Sequence, residues 1–581
     1  MSTIAATTYA PTLGDQPAIY PTGNTWVCLP DIRADGAVME LNVTSERAAA
    51  LLAAIGRDGE ALLRLRLELD GTAVPLGPPA VERLHDWVPR IRYKVGAGEL
   101  VFTILTPPGE QGFMLRAEAR GLIGDVRLGL DVNFAAVALQ RFRNSVLDTR
   151  IAHSVCDWTH SHVFEASAGL PLLALAFRGS VPLERRGATL WAEAGALDVM
   201  VGVAADLDGA RTTSVHLARL GFDAGLAATS AWIAARCGQD DPVFRRHALF
   251  NYFYSYGDYV DGSGGALMTS RSPRYYVGGA FWSRDALLWS FPAVLAIDPE
   301  AARRRLRLAL TRYTIAPGEH AQYLHGRPLY PGFELDEAAI YPWALARYVR
   351  LTGDASLLAD RAVVEGLASV LDRIRRARAD NGLYATMLGP TDDPVAHPYL
   401  VYDNALLAAG LRDLAAVSPM HERLADEADA IAAAVRRHGI AEGPHGPMFA
   451  WAVDGKGAVQ RHDEPAGSLL LLAPLGFCGF DDPVWQNTRT FITGAGNPHH
   501  YEGFVGEGSP HFPFPSCFSL ANRFLIGEGE IARRVLETAP LDTGLGCEAF
   551  DPVSGQVRTG AGFAAVSGFL AWTMREPRAG M

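Results

Sequence analysis

Lysine is nearly absent from this chain. Lys94 and Lys456 are the only two, so 50 of the 52 basic residues are arginine. The arginines are scattered, and 64 acidic residues outnumber the basic ones to leave a net charge of −12. A nucleic-acid binder carries a basic face, so that class is excluded. Cysteine is scarce as well: Cys28, Cys156, Cys237, Cys478, Cys517 and Cys547 show no CxxC or related metal-ligand spacing. They are too sparse for a disulfide scaffold and read as buried apolar thiols. The longest apolar run, Leu469 to Phe480, is interrupted by Pro474 and Gly476 and is too short to span a bilayer. Met1-Ser2-Thr3-Ile4 opens no basic segment followed by an apolar one, which excludes a visible signal peptide. A soluble cytoplasmic protein is expected, with no membrane or nucleic-acid partner. Assembly into a homo-oligomer is compatible with the sequence.

Hydrophobic residues make up 49% of the chain and charged residues 20%, enough for a sizeable core. The first 220 residues carry β patterns. Leu63 to Leu69 and Arg90 to Val95 alternate strictly, as half-buried strands do, and Leu100 to Leu105 is strand-like. Further strand-like runs lie at Gly112 to Ala119, Val126 to Phe134, Leu172 to Phe177 and Asp198 to Val203, with Gly, Pro and Asp between them. One helix-like insert, Ser45 to Ile55, precedes Leu63. The expectation is an antiparallel β-sandwich over residues 1–220. Val215 to Ala235 has helical spacing and predicts a linker helix over 221–240. From Asp241 onward helical patterns dominate: Arg284 to Leu295, Pro299 to Tyr313, Glu337 to Leu351, Ser356 to Arg378, Asn404 to Val417 and His421 to His438. The remaining length suits six helical hairpins, so an (α/α)6 toroid barrel is expected over 241–581. A helical solenoid is the rival, but no motif recurs at a fixed period.

The loops of the second half are rich in aromatic residues, among them Tyr275, Tyr276, Phe281, Trp282, Tyr330, Phe333 and Trp451. Aromatic faces interleaved with acids, Arg and His suit a sugar, which presents apolar C–H surfaces and polar hydroxyls. Packing of helix ends is the plainer reading for any one of them. Three acid-bearing segments stand out. In Trp282-Ser283-Arg284-Asp285, Asp285 either favours a helix start through its dipole or joins Arg284 in holding sugar hydroxyls. Phe333-Glu334-Leu335-Asp336-Glu337 sets three acids in an apolar, aromatic stretch. Glu334 and Asp336 would project alike if it is extended. Asp336 is either a first-turn residue or a carboxyl whose apolar surroundings raise its pKa, as a general acid needs. Glu548 stands between small and apolar residues in Gly546-Cys547-Glu548-Ala549-Phe550, where a surface ion pair is the alternative. Glycoside hydrolysis needs two carboxyls across the scissile bond.

The same segments are similar to a known family. Trp282-Ser283-Arg284-Asp285, Glu334-Leu335-Asp336 with Thr352-Gly353-Asp354, Asn487-Thr488-Arg489, Asn497-Pro498 with Tyr501, and Gly508-Ser509-Pro510-His511 occur in the order found in it. Together with Glu548, Phe550 and Asp551 they resemble the metal-independent exo-α-1,6-mannosidases, glycoside hydrolase family 125. Cys547 stands where that family has His, and His462-Asp463-Glu464-Pro465-Ala466-Gly467-Ser468 differs from its Asp-Asp-Ala-Asn-Val-Pro-Ser. The resemblance runs from about Tyr275 to Trp572. An added N-terminal β-sandwich resembles the arrangement of glucoamylase-like enzymes. The resemblance implies an inverting exo-acting α-glycoside hydrolase with Asp336 as general acid and Glu548 as general base. It implies Arg284, Asp285, Asp463, Glu464 and His511 on the terminal sugar, and no metal or cofactor. Trp282, Tyr276, Glu334 and Tyr501 complete the candidate substrate contacts. An inverting pair would stand roughly 6.5–9.5 Å apart, leaving room for water. The terminal sugar is mannosyl, glucosyl or related. Two other readings stand beside this one: a phosphorylase or polysaccharide lyase on the same barrel, and a non-catalytic carbohydrate-binding protein.

Overall fold

The computed structural model describes residues 12–13, 16–141 and 145–576. The chain divides into two compact units, residues 1–266 with 270–279, and residues 267–269 with 280–581. Among the described residues, no helix is long and apolar enough to cross a membrane.

The first unit is built on two antiparallel sheets. Leu63–Leu69 shows why: a period of two sets Leu63, Leu65 and Leu67 on one buried face. Its partner is Val126–Val132, with Leu67 opposite Leu128 and Leu65 opposite Leu130. This pair belongs to the 11-stranded sheet, while Val88–Val95, Gly98–Leu105, Gly112–Arg120 and Ala196–Ala204 belong to the 8-stranded one. Ile91, Phe102, Phe113 and Leu115 of the second sheet share one core with Leu65, Leu67, Leu128 and Leu130 of the first. Two faces that bury the same core make a sandwich.

The stretch Ser45 to Ile55 is not helical. It holds the end of strand Val38–Ser45, a tight turn with Ala49 at φ 48°, and strand Ala50–Gly56. Alanine and leucine favour helices in isolation, yet every side chain from Ala50 to Ala54 is fully buried between sheet neighbours. Burial on both faces overrides propensity here. The helical pattern from Val215 to Ala235 is split into helices Leu207–Leu220 and Phe222–Cys237 by Gly221, at φ 76°. Both helices, and Pro242–Tyr254 after them, fall within the first unit.

The second unit alternates helices with loops and small two- or three-stranded ribbons. Its helices include Phe291–Ile297, Pro299–Arg312, Leu335–Thr352, Arg361–Arg375, Val401–Val417, Leu424–His438, Cys517–Leu525 and Ala564–Arg575. Leu335–Thr352 starts with Asp336 and Glu337 in its first turn, where the helix dipole favours acids, and stops at Gly353 in the left-handed conformation. It packs closely on Val401–Val417. A Cβ on Gly410 would lie 3.1 Å from the Trp343 nitrogen and 3.3 Å from the Ala339 oxygen.

Arg271 knots the first unit. It is fully buried. Its Nη1 donates to the carbonyls of Asn24 (3.1 Å), Thr25 (3.2 Å), Tyr256 (3.3 Å) and Phe253 (3.4 Å). Its Nη2 donates to those of Trp26 and Asn42, each at 3.2 Å. One guanidinium thus satisfies carbonyls from three separate stretches of chain. Arg271→Met should cost on the order of 3 kcal/mol or more, because those buried acceptors lose their donors. Denaturant unfolding would measure it, and a loss below about 1 kcal/mol would contradict this role for the arginine.

Candidate functional site

Within the second unit the carboxylates gather around one guanidinium. Phe281 and Gln322 exchange backbone hydrogen bonds, each 2.9 Å, and hold the chain extended ahead of Arg284. The chain then enters a widened π-type turn, Asp285–Ser290, which runs into helix Phe291–Ile297. Such turns recur at functional sites. Glu337 fixes the entry: its Oε2 accepts the backbone N–H groups of Ser283 and Arg284, the latter at 3.1 Å.

Arg284 is 2% exposed. Its Nη1 donates to Glu334 Oε2 and Asp336 Oδ2, both at 2.9 Å, and lies 3.6 Å from Glu337 Oε1. Its Nη2 donates to Asp392 Oδ1 at 2.7 Å. Asp336 also accepts the Glu337 N–H on Oδ1 at 2.9 Å. His320 Nδ1 meets Glu334 Oε1 at 2.5 Å, and Trp282 stands edge-on to the His320 ring with centroids 5.8 Å apart. The 334–337 segment is held by Glu334 N–H to Gly318 O (2.9 Å) and Leu335 N–H to the Thr386 hydroxyl (3.1 Å). The loop from Thr386 to Val395 brings in Asp392, at φ 66°. Its neighbour Asp393 pairs with His511 Nε2 at 2.9 Å, so His511 reaches the cluster through this loop.

The charge balance is lopsided. Asp285, Glu334, Asp336, Glu337, Asp392 and Asp403 surround a single arginine. Burial pushes Glu334 and Glu337 well above the usual carboxylate range, and Arg284 only partly opposes it. Asp285 is pushed up to about 7 by burial against the pull of Arg284. Burial opposes the charge of Arg284, but Asp336, Glu334, Glu337 and Asp392 outweigh it and strengthen its hold on its proton. Burial thus makes Glu334, Glu337 and Asp285 hold their protons more tightly than free carboxyls do. His320, Glu334 and Asp392 present three ligand-type atoms within 4.8 Å of one another. Arg284 already donates to both of those carboxylates, so an arginine holds the place a cation would take.

The remaining candidates make other contacts. Asp463 accepts from the Ser468 hydroxyl (2.6 Å) and the Leu469 N–H (2.8 Å), fixing its own turn, and burial pushes it up to about 7. Glu464 is 6% exposed; its Oε1 lies 3.5 Å from His462 Nε2 and its Oε2 has no hydrogen-bond partner. Tyr501 donates to Pro513 O at 2.6 Å and, with Phe504, Arg534 and Pro552, lines a cavity of about 490 Å³. Glu548 is half-buried, and its N–H donates to Gly560 O at 3.2 Å. Cys547 beside it is buried, with its sulfur 3.8 Å from that of Cys517. Tyr276 belongs to the first unit, where it is 58% exposed and lies 5.0 Å from the Tyr275 ring.

His320, Asp392 and Asp403 were not singled out by the sequence. The paired acids of Thr391-Asp392-Asp393-Pro394 in a Gly- and Pro-bounded loop were a usable signal. Asp403, a lone acid in the apolar run Leu400 to Leu407, was another. His320 carried none, since only folding sets it on Glu334.

Arg284→Met should destabilise the protein by about 3–5 kcal/mol, as the loss of one partner of a buried pair does. The stranded carboxyls escape by protonation, and a carboxyl with a raised folded pKa keeps its stability at low pH and loses it as pH climbs past about 4. The deficit should therefore be larger at pH 8 than at pH 5. Thermal melts across that range would read it, and a pH-independent loss would contradict it.

The comparisons with known proteins bear on the same region. Residues 333–526 match the family model of the metal-independent alpha-mannosidases (GH125). The meiotically up-regulated gene 157 protein of Schizosaccharomyces pombe is 34% identical over 154 residues, which are 25% of this chain and only 30% of the yeast protein. A bacterial glucoamylase solved with acarbose is similar in fold across 98% of this chain and 94% of its own, with a TM-score of 0.66 at 12% identity. A metal-independent alpha mannosidase of Streptococcus pneumoniae, in a non-productive complex with alpha-1,6-mannobiose, aligns over 59% of this chain and 97% of its own, at 19% identity and a TM-score of 0.49. The chain is thus GH125-like in the segment that carries Glu334, Asp336 and Asp392, and glucoamylase-like in fold.

Proposed function

We propose that the protein is an exo-acting, inverting α-glycoside hydrolase that removes a terminal α-mannosyl or closely related unit from an oligosaccharide or glycoside. One observation carries this reading: Asp336 is buried with Glu334 and Asp392 on the Arg284 guanidinium, and these three acids lie inside the segment matched by the alpha-mannosidase model. In this reading the helices of the second unit close into an (α/α)6 toroid. Asp336 protonates the glycosidic oxygen as the bond to the anomeric carbon breaks. Glu548 removes a proton from the water that attacks the opposite face of the sugar. Arg284, Asp285, Asp463, Glu464 and His511 hold the terminal sugar, with Trp282, Tyr276, Glu334 and Tyr501 as further substrate contacts. A second carboxylate in a glycine-rich loop favours hydrolysis over phosphorolysis, which would use a phosphate pocket in its place.

Asp336→Asn and Glu548→Gln should each lower kcat on aryl α-mannosides by at least about a hundredfold, the usual size of a general acid or base contribution. Unaltered turnover in either variant removes that residue from the role. Proton NMR of an α-linked mannobiose digest should show β-mannose first; α-mannose first means retention, and an ultraviolet-absorbing unsaturated product means a lyase. Gly560, at φ 63°, offers a finer probe, since a Cβ there would lie 2.4 Å from Glu548 Cβ. Gly560→Ala should displace Glu548 and lower kcat about tenfold or more, a typical cost of misplacing a reacting group. An unaltered kcat would show that the Glu548 position does not matter.

A further inference from the structure

Asp403 is a buried acid that the proposed reaction does not use. It lies in the first turn of helix Val401–Val417 and is fully buried. The start of that helix is pinned by its neighbours. Asn404 Nδ2 donates to the carbonyls of Tyr384 (3.0 Å) and Leu400 (2.9 Å), its Oδ1 accepts the Tyr384 N–H (2.8 Å), and Val401 N–H donates to Trp451 O (3.0 Å). Asp403 has none of this. Neither of its carboxyl oxygens has a hydrogen-bond partner, and nor does the adjacent buried hydroxyl of Tyr402. Asp336 provides the contrast, because both of its oxygens accept hydrogen bonds, one from a guanidinium.

Gly410 brings helix Val401–Val417 against Ala339 and Trp343, and seven residues before Gly410 stands Asp403, as Asp336 stands three before Ala339. Tyr384 N–H donates to Asn404 while Thr386, two residues on, accepts the Leu335 N–H, so the two first turns lie at the same end of the packed pair. The charges that face Asp403 are Asp336 and Glu334 from the start of helix Leu335–Thr352 and Arg284 from the stretch before Asp285. Among the described residues, helix Leu424–His438 and the turn Leu469–Leu472, also packed on this helix, add none. A carboxylate buried with no donor is strongly disfavoured, and the group holds a proton instead. Burial, and then the neighbouring Asp336, raise the Asp403 pKa well above the usual range.

We propose that Asp403 is a positioning residue that works as a neutral carboxyl: while it keeps its proton, the Arg284 guanidinium stays on Glu334, Asp336 and Asp392, and its ionisation draws that guanidinium away and switches the site off. The claim rests on the acid role of Asp336 proposed above. The step is a simple loss of one proton from the Asp403 carboxyl to water or hydroxide, with no other bond broken.

Asp403→Asn imitates the neutral form, and since no hydrogen bond is lost the variant should fold. The alkaline limb of its kcat/KM profile on an aryl α-mannoside should move up by about one pH unit or more, the shift a single uncompensated neighbouring charge produces. Its thermal stability relative to the parent should rise with pH above about 4, because there the unfolded parent ionises Asp403 while the folded parent must keep it protonated. Loss of turnover at every pH in a folded Asp403→Asn would show that the anion is needed and overturn the proposal. So would a superimposable pH profile. The melting comparison reads Asp403 without any activity. If Asp336→Asn stays active while the stability difference still grows with pH, the acid assignment fails and the neutral state of Asp403 survives. If the stability difference is flat, Asp403 is not held neutral, whatever Asp336 does.

Discussion

The burial of the Arg284 charge constrains everything around it. A guanidinium that is 2% exposed must find acceptors inside the protein, and it takes them from Glu334, Asp336 and Asp392. Those acceptors come from the start of one helix and from a separate loop. The turn after Arg284, the strand-like entry to helix Leu335–Thr352 and the Thr386–Val395 loop can therefore form only together. Backbone bonds follow the same logic: Glu337 caps the Arg284 segment from one side while Thr386 anchors Leu335 from the other.

One cation among so many acids does not neutralise them. Paired one to one, the site would be an ordinary buried salt bridge of little net worth. Instead, burial pushes Glu334, Glu337 and Asp403 all above the usual carboxylate range. Under the proposed reaction, such burial keeps a carboxylic acid available to a leaving oxygen. Arg271, one of the buried arginines of the first unit, is held in the opposite way, with its charge spread over backbone carbonyls. Carboxyls can take up and release protons where backbone carbonyls cannot.

Much of the architecture was legible in the residues. Strict alternation from Leu63 to Leu69 gave the strand bounds, since a half-buried sheet face leaves a period of two in the sequence. Helical spacing gave Pro299–Arg312 and Leu335–Thr352 to within a residue or two. Ser45 to Ile55 misled, because Ala- and Leu-rich runs look alike in a helix and in a strand buried on both faces. The site was legible in its acids and in Arg284. It was not legible in His320 or Asp392, whose contacts join residues far apart in the chain.

The sequence by itself determined the period of each element, the absence of a basic face, and the types of side chain on offer at Arg284, Glu334 and Asp336. Those are local properties, written in neighbouring residues. Tertiary structure alone decided which acids share a cation and which keep a proton. It put Asp392 on Arg284, made Glu337 a backbone cap and left Asp403 without a donor, because desolvation and charge coupling depend on what the fold brings within a few ångströms, and chain spacing does not record that.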